Sequence, residues 1–438
     1  MSPPPIAPFS TWSSTSNPLE KFRPSLRGAK KNPQMKVLLL CNKVPYPARD
    51  GSSIAMRSTA EALRSNGHEV HILALNTRKH FRAPAAIEKA RPAKLKLKAI
   101  PVNTSPGPVS ALRNLFSGQA YHVSRFWQAP VAETLRQWLK EENYDIVQLE
   151  GLNLAVYLPV LKHRGRAKLV LRAHNLEFEI WQRHWPRLRN PLLRAYLALQ
   201  TRRLERFERW AWQQMDGLVF ITARDAEAYR KMTANARPRT AIPSGLEPAD
   251  YPEPNGRFER DLACLASFDW QPNVEGLRWF VREVWPLLRK DRPQLLFAVG
   301  GRHMPASFGQ FKRQGISLCG EVEDGQAFVQ KARVTIVPLW SGSGMRIKVL
   351  ENMALGCAQV STSIGAEGLE LRDGVEIRLA DTPKDFAAAI LQLIDREDER
   401  RALAQAARKR ALSGFDNRRL GAYYGTFYQS LWSDSGQS

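Results

Sequence analysis

The chain has 438 residues, 43% of them hydrophobic and 9% aromatic, which is enough for two or three domains with full-sized cores and excludes a protein dominated by disorder. Lysine and arginine outnumber aspartate and glutamate by 65 to 42, and the net charge of +23 predicts a surface that attracts nucleic acid, anionic membranes or phosphorylated small ligands. No apolar run approaches the length of a membrane-spanning helix and no signal-peptide core is present, so we expect a cytoplasmic protein, with peripheral attachment to the inner face of the membrane left open.

The four cysteines indicate a reducing compartment. Cys41, Cys264, Cys319 and Cys357 are widely spaced, and each lies in or beside an apolar run. This distribution predicts buried thiols rather than disulfides or a metal site.

Residues 1–34 differ in composition from the rest of the chain. They are rich in proline, serine, lysine and arginine and lack an apolar period, which predicts a disordered basic arm. Met35 precedes the first strand-like run and resembles an initiator, so the arm is either a genuine upstream extension or the result of a misassigned start.

From Met35 onward, apolar runs of strand length alternate with helix-like stretches, which is typical of parallel sheets covered by helices on both faces. The strands predicted in the first half are 36–41, 69–75, 145–149, 168–172 and 217–221. The strands predicted in the second half are 261–267, 294–300, 316–319, 334–339, 359–362 and 375–379. A proline-rich stretch at 243–254 separates the two sets. We therefore expect an α/β protein with two doubly wound domains, 35–243 and 244–414, and a ligand between them at the carboxyl ends of the strands.

The last segment, 415–438, contains a predicted helix at 420–432. Its aromatic residues, among them Tyr424 and Phe427, must be covered by another part of the molecule. Packing back onto the first domain and packing within the second are both open.

Two strand ends of the first domain carry candidate ligand-binding residues. After strand 36–41 a long loop leads to Gly51 and Ser52 at a helix start, where backbone N–H groups could face a ligand; an ordinary helix cap explains the same residues. The loop matches neither the dinucleotide-binding G-x-G-x-x-G nor the P-loop pattern, which disfavours both enzyme classes. His174 follows strand 168–172 and is either structural or catalytic; no second histidine stands at metal-ligand spacing, which disfavours zinc.

Segment 181–215 is crowded with arginine and aromatic residues. This mixture suits a helix lying on anionic lipid headgroups, and it also suits a long surface helix that buries its tryptophans and exposes its arginines. No recognised nucleic-acid module accompanies the charge, so we do not expect nucleic acid as a partner.

Three loops at strand ends of the second domain predict a nucleotide pocket. Loop 267–276, with Ser267 and Asn273, follows the first strand of that domain, and loop 363–369, with Glu367, follows a later one. Glycines in these loops allow a close approach of the backbone to a ligand.

The third loop is a turn of glycine and serine that feeds a helix. Its N–H groups and the positive end of the helix dipole favour an anion such as a diphosphate, and two cations add full charges. A glutamate about one and a half turns into the helix can accept hydrogen bonds from ligand hydroxyls. The residues concerned are Ser343, Gly344, Met345, Arg346, Lys348 and Glu351. The alternative is a strand-turn-helix joint with solvated charges.

Across 35–432 the chain resembles family-4 glycosyltransferases of the GT-B type, in particular bacterial sugar transferases of exopolysaccharide clusters. The segments that carry the resemblance are 173–175, 242–245, 267–273, 342–356 and 361–369. The resemblance implies two Rossmann-like domains facing an interdomain cleft, with the acceptor mainly on the first and the nucleotide-sugar on the second. It also implies retention of anomeric configuration without metal or cofactor, and the chain has no D-x-D motif.

The resemblance also assigns roles to individual residues. Glu351 matches the second glutamate of the Glu-x7-Glu motif and would hold the ribose hydroxyls, and Lys348 with Arg346 would neutralise the diphosphate. His174 matches the cleft histidine near the transferred sugar, and Gly51 matches the glycine loop beside the diphosphate.

The chain departs from the family pattern at two places. The first glutamate of the motif falls on Ser343, and Ser267 with loop 269–273 replaces the usual Gly-Arg and Lys. Arg346 and Lys348 could substitute for the missing cations.

The sequence thus predicts a retaining glycosyltransferase of polysaccharide or glycolipid biosynthesis. Its expected partners are a nucleotide-sugar donor, a saccharide or lipid-linked acceptor and an anionic membrane surface. A nucleotide-sugar epimerase of the same fold and a basic membrane- or nucleic-acid-binding protein without catalysis remain alternatives.

Overall fold

The structure, a computed structural model, describes residues 33–433 except 189, 235, 236 and 343. Ser343 and residues 1–32 of the predicted basic arm therefore lie outside the described residues. The strands of the first sheet are β1 (Lys36–Cys41), β2 (Glu69–Thr77), β3 (Lys96–Val102), β4 (Ile146–Glu150), β5 (Lys168–Ala173), β6 (Gly217–Phe220) and β7 (Arg239–Ala241). They pair in parallel in the order β3-β2-β1-β4-β5-β6-β7.

Helices cover both faces of this first sheet. They are α1 (Gly51–Ser65), α2 (Pro84–Ala90), α3 (Pro108–Leu115), α4 (Tyr121–Ser124), α5 (Ala129–Glu141), α6 (Leu158–Leu161), α7 (Glu177–His184), α8 (Pro191–Gln213) and α9 (Ala223–Met232). Strand β1 shows why the sheet needs two apolar layers. Leu38 and Leu40 lie in one core, whereas Val37 and Leu39 lie in the other, because successive side chains of a strand point to opposite faces.

The second domain repeats this architecture. Its strands are β8 (Arg260–Leu265), β9 (Phe297–Gly300), β10 (Ile316–Gly320), β11 (Ala332–Val337), β12 (Ala358–Ser361) and β13 (Arg378–Leu379), paired in parallel in the order β10-β9-β8-β11-β12-β13. Its helices are α10 (Gln271–Trp279), α11 (Trp285–Asp291), α12 (Gly325–Gln330), α13 (Ile347–Ala354), α14 (Pro383–Asp395) and α15 (Glu397–Gly414). The prediction of two doubly wound α/β domains is confirmed.

The C-terminal helix, α16 (Asn417–Ser433), lies on the first domain. Its aromatic side chains belong to the core that also contains Val37 and Leu39 of β1. At Gly421 the helix approaches α1 so closely that a Cβ would lie 1.9 Å from the carbonyl oxygen of Ala62, so glycine is required there. The last helix therefore completes the first domain although the second domain precedes it in the chain.

Several sequence predictions are wrong in detail. Strands β3 and β7 were not predicted: β3 is an edge strand whose lysines interrupt its apolar pattern, and β7 is only three residues long. The predicted strand 375–379 is reduced to Arg378–Leu379. Cys319 is exposed on the edge strand β10, contrary to the prediction of a buried thiol, whereas Cys41, Cys264 and Cys357 are buried.

Among the described residues, no helix combines the length and the apolar character that crossing a bilayer requires.

Candidate functional site

The two domains meet at the N-terminal ends of two helices. A Cβ added at Gly51, the first residue of α1, would lie 3.6 Å from Cγ1 of Ile347, the first residue of α13. The positive dipole ends of both helices are thus brought together from opposite domains, and at α1 the side chain of Asp50 accepts the N–H of Ser53. Two converging helix N-termini create a region of positive potential that suits an anion.

The turn before α13 rests on the first domain. Gly344 has a φ of +75°, and a Cβ there would lie 2.3 Å from Oδ1 of Asn175 and 3.1 Å from the carbonyl oxygen of His174. Arg183 of α7 donates to the carbonyl of Gly342 at 3.5 Å. The glycine-rich turn therefore touches the residues that follow β5, and His174 lies at the domain junction.

Lys348, in the first turn of α13, is held by a neutral partner. Its Nζ donates to Oδ1 of Asn273 at 2.6 Å, and Nδ2 of Asn273 donates to the carbonyl of Ser267 at 2.7 Å. Burial lowers the pKa of Lys348 to about 8, and the nearby Arg346 acts in the same direction. An ammonium that is desolvated and bound to an amide keeps its charge available for an anionic ligand.

Arg346, the N-cap residue of α13, is buried against aromatic and glycine surfaces. Its guanidinium lies 5.5 Å from the ring centroid of Trp270, and a Cβ on Gly342 would lie 2.7 Å from its Nη2. Burial lowers the pKa of Arg346 to about 10, partly offset by the charge of Glu367 and reinforced by that of Arg183. Arg346 thus adds a fixed charge at the same helix end as Lys348.

Glu351 lies one turn further along α13, facing the linker between the domains. The hydroxyl of Tyr251 forms a hydrogen bond with it, and Arg57 of α1 is close enough to lower the pKa of its carboxyl. Burial is the larger influence and raises the pKa of Glu351 to about 7. Arg57 also pairs with Asp250 of the linker. This carboxyl therefore lies where the two domains are joined, and its oxygens are able to accept hydrogen bonds.

His174 belongs to a buried polar network that sequence reasoning did not find. Its Nε2 lies 2.9 Å from Oε2 of Glu150, which also binds Nη1 of Arg172 at 3.2 Å and Nε2 of Gln148 through its other oxygen at 2.7 Å. The hydroxyl of Tyr428 in α16 donates to Gln148 at 2.7 Å. A neutral His174 that donates through Nε2 keeps Nδ1 as an acceptor. The C-terminal helix thereby supports the strand ends that carry the histidine.

The charges of this network are balanced inside the sheet. Burial lowers the pKa of His174, although its hydrogen bond to Glu150 opposes the effect. Burial alone would raise the pKa of the Glu150 carboxyl. Arg172 and His174 together outweigh burial, so the pKa of Glu150 lies below its ordinary value. Glu150 and Arg172 are fully buried in β4 and β5. Their position within apolar strands gave no local signal of a functional role.

Of the remaining predicted site residues that the structure describes, Ser52 lies in the first turn of α1, and Met345 and Glu367 lie in loops. Ser52 follows Gly51 in α1, whose N-cap is formed by Asp50 and Ser53 in a capping box. Glu367 lies near Arg346, and a Cβ on the adjacent Gly368 would lie 3.1 Å from the Cα of Met345. Ser343 lies outside the described residues.

Two cross-domain contacts were also missed from the sequence. Arg302 donates to the carbonyl of Arg49 at 2.6 Å, and Nζ of Lys79 lies 3.8 Å from Oδ2 of Asp269. Both tie the loops that follow β1 and β2 to the loops that follow β8 and β9. Only the folded chain brings these partners together, since they lie far apart in the sequence, 253 residues in the case of Arg49 and Arg302.

Known protein families match both halves of the chain. Residues 50–245 match the glycosyl transferase 4-like domain, and residues 259–396 match the glycosyl transferases group 1 family. The chain belongs to the family-4 glycosyltransferases of the GT-B type. A relative from Klebsiella pneumoniae is described as an uncharacterized 44.6 kDa protein in the cps region. It is 22% identical to this glycosyltransferase, and the match covers 81% of this chain and 90% of the relative.

Solved structures agree with the fold of this glycosyltransferase. Sucrose-phosphate synthase from Thermosynechococcus elongatus is 15% identical with a TM-score of 0.65, covering 91% of this chain and 100% of that one. HepE from Anabaena in complex with UDP-glucose is 15% identical with a TM-score of 0.60 over 91% and 100% of the two chains. TarM from S. aureus, in a complex that contains UDP, is 9% identical with a TM-score of 0.65 over 90% and 100%. At these identities the similarity establishes the GT-B fold alone.

In the described part of the glycosyltransferase, no group of three or more histidine, cysteine, aspartate and glutamate side chains is arranged to hold a metal ion.

Proposed function

We propose that the enzyme transfers a sugar from a nucleotide-sugar to an acceptor hydroxyl with retention of anomeric configuration and without a bound metal. The observation that carries the proposal is the meeting of two helix N-termini beside Lys348 and Arg346, opposite His174. This arrangement supplies positive potential at a domain junction, where a diphosphate has contacts from both sides.

The reaction explains why such potential is needed. When the anomeric C–O bond breaks, the sugar becomes oxocarbenium-like and the nucleotide leaves as a diphosphate with additional negative charge. Preorganised donors aimed at the departing oxygens stabilise this charge more than the ground state. Lys348 and Arg346 are already desolvated and need little reorganisation when the charge develops.

The other residues take supporting roles. Glu351 accepts hydrogen bonds from the ribose hydroxyls, the N–H groups at Gly51 contact the diphosphate, and Asn273 orients Lys348. His174, held by Glu150, contacts the sugar that is transferred. The acceptor hydroxyl approaches from the face that the diphosphate leaves, and a diphosphate oxygen accepts its proton.

Similar proteins suggest which substrates to test first. HepE and TarM are described in complexes with UDP-glucose and UDP, which makes UDP-sugars the first donor class to examine. The Klebsiella relative is described by its place in a cps region, which supports a role in polysaccharide biosynthesis. We therefore expect a saccharide or lipid-linked acceptor.

A hydrolysis screen across nucleotide-sugars tests the proposal, because slow transfer to water reveals the donor before the acceptor is known. One nucleotide-sugar should release nucleoside diphosphate in the presence of EDTA, and NMR should show that the released sugar keeps its anomeric configuration. Lys348→Ala should abolish most of the release, whereas Lys384→Ala, an exposed change in α14, should not. Epimerised nucleotide-sugar without diphosphate release, or release with inversion, would contradict the proposal.

A further inference from the structure

Two helices of the first domain expose apolar stripes. On α3 and its C-cap, Val109, Leu112 and Phe116 recur at the three- and four-residue spacing of one helix face, and Phe116 is 88% exposed. On α8, Leu192 and Leu199 lie seven residues apart on one face, and Leu192 is 81% exposed. Scattered apolar residues are normal on a protein surface, but two stripes on helices that contact each other indicate an interaction site.

Polar contacts join the C-terminal end of α3 to α8. Arg203 of α8 donates to the carbonyls of Asn114 and Leu115 at 3.0 and 2.8 Å, and Nε2 of Gln200 donates to Oδ1 of Asn114 at 3.1 Å. Near the other end of α3, the hydroxyl of Tyr121 contacts the hydroxyl of Ser110. The backbone N–H of Tyr121 donates to Oε1 of Gln200. Because α3 uses its polar side to bind α8, its apolar side faces outward. We call the exposed faces of these two helices the α3–α8 surface.

The segments that carry the two stripes have charge of a single sign. Residues 89–132 and 180–204 contain no aspartate or glutamate, and Arg113, Arg194 and Arg202 are exposed beside the stripes. Two copies of this face would bring like charges together, which opposes a symmetric dimer. An anionic partner with an apolar interior fits both the charge and the stripes.

We propose that the α3–α8 surface docks onto an anionic phospholipid bilayer, with the leucines and Phe116 entering the boundary between headgroups and acyl chains. Apolar side chains flanked by arginines are the arrangement that interfacial helices use for this purpose. The proposal deepens the proposed function, and rests on it, in that a lipid-linked acceptor would be presented at the same membrane.

The docked surface is connected to the catalytic cleft through α8. Glu208, near the C-terminal end of that helix, accepts the backbone N–H groups of Glu177 and Phe178 at 3.2 and 3.0 Å, at the start of α7. Helix α7 contacts the glycine-rich turn through Arg183. Sixteen residues separate Leu192 from Glu208, about 24 Å along a helix axis. The bilayer would therefore lie within one helix length of the cleft.

Vesicle co-sedimentation of the full chain tests the docking. We expect binding to mixed phosphatidylglycerol–phosphatidylcholine vesicles and weak binding to pure phosphatidylcholine. The double variant Leu112→Glu/Phe116→Glu should need at least about tenfold more lipid for half-maximal binding, because two side chains lose their burial in lipid. The matched control Leu296→Glu/Val375→Glu changes exposed apolar residues of the second domain and should bind like the parent. Unchanged binding of the first variant, or equal loss in the control, would overturn the proposal.

Two further measurements separate the possible explanations. Arg194→Gln/Arg202→Gln should weaken the preference for phosphatidylglycerol, whereas the exposed pair Arg282→Gln/Arg401→Gln should not. A parent dimer in light scattering that Phe116→Glu disperses would identify a second copy as the occupant and overturn membrane docking.

Nucleotide-sugar hydrolysis, measured without vesicles, should be unchanged in every docking variant. Vesicle binding without hydrolysis of any donor would refute the proposed function but leave the docking proposal intact. Hydrolysis without vesicle binding would refute the docking proposal but leave the proposed function intact.

Discussion

Replacing Lys348 with methionine should make the empty enzyme more stable and the working enzyme much slower. The ammonium is desolvated, its pKa falls from 10.5 to about 8, and its direct partner is the amide of Asn273. Methionine keeps the length and packing of the chain while removing the charge. The substitution therefore separates two effects of the Lys348 charge, namely the loss of folding stability and the acceleration of the reaction.

The magnitude of each effect follows from the structure. One pKa unit corresponds to about 1.4 kcal/mol, so the lowered pKa of Lys348 represents at most about 3 kcal/mol of destabilisation near pH 7. Part of the Lys348 side chain still contacts solvent, which screens the ammonium although burial lowers its pKa, so we expect about 1–2 kcal/mol. Loss of a preorganised donor at the leaving group should cost about 3–4 kcal/mol in the transition state, or about 10²–10³-fold in kcat.

Thermal unfolding with and without UDP, together with donor hydrolysis, checks both parts. Without nucleotide, Lys348→Met should raise the unfolding midpoint of the second domain by about 2–4 °C per kcal/mol gained. With UDP, the parent should gain stability and the variant should gain little. Lys384→Met is the matched control and should leave all three measurements unchanged. A variant that is less stable than the parent without UDP, yet hydrolyses donor at the parental rate, would refute the reasoning.

Three further predictions follow from the same contacts. The Lys348 ammonium is charged below its pKa of about 8 and neutral above it, so calorimetry should show UDP affinity constant just below pH 8 and falling above it, and Lys348→Arg should remove this fall. Glu150→Gln leaves a buried guanidinium without its carboxylate and should lower the free energy of unfolding in urea by about 3–5 kcal/mol; a smaller loss than 1 kcal/mol would show that the network is not the support we describe. Gly344→Ala should weaken UDP binding more than Gly165→Ala, because both glycines have positive φ but only the Cβ at Gly344 would meet Asn175.

Much of the fold was predictable because its signals are local. Apolar runs of strand length marked most of the strands, and the glycines and two cations of the turn before α13 predicted an anion site there. The strands that escaped prediction are those with a weak local pattern. Lysines alternate along the edge strand β3, and β7 is too short to show a period. Edge strands tolerate such residues because one side of the backbone has no partner strand.

The supporting network of the site was not predictable in the same way. Glu150 and Arg172 lie in strands whose sequences are otherwise mostly apolar. Their opposite charges meet only because β4 and β5 are neighbours in the sheet. Tyr428 reaches the network through Gln148 from a helix that is 280 residues away in sequence. Sequence patterns among neighbouring residues cannot predict contacts between residues that lie so far apart in the chain.

The sequence by itself determined the layer architecture, the small-residue turn and the charges at the start of α13, because periodicity and helix-end chemistry act over a few residues. Tertiary structure decided that a second helix N-terminus, at Gly51, faces that turn from the other domain. It also decided that the apolar residues of α3 face outward, although their spacing is that of a helix that buries one side. Both outcomes depend on which elements pack together, and packing is a property of the whole chain.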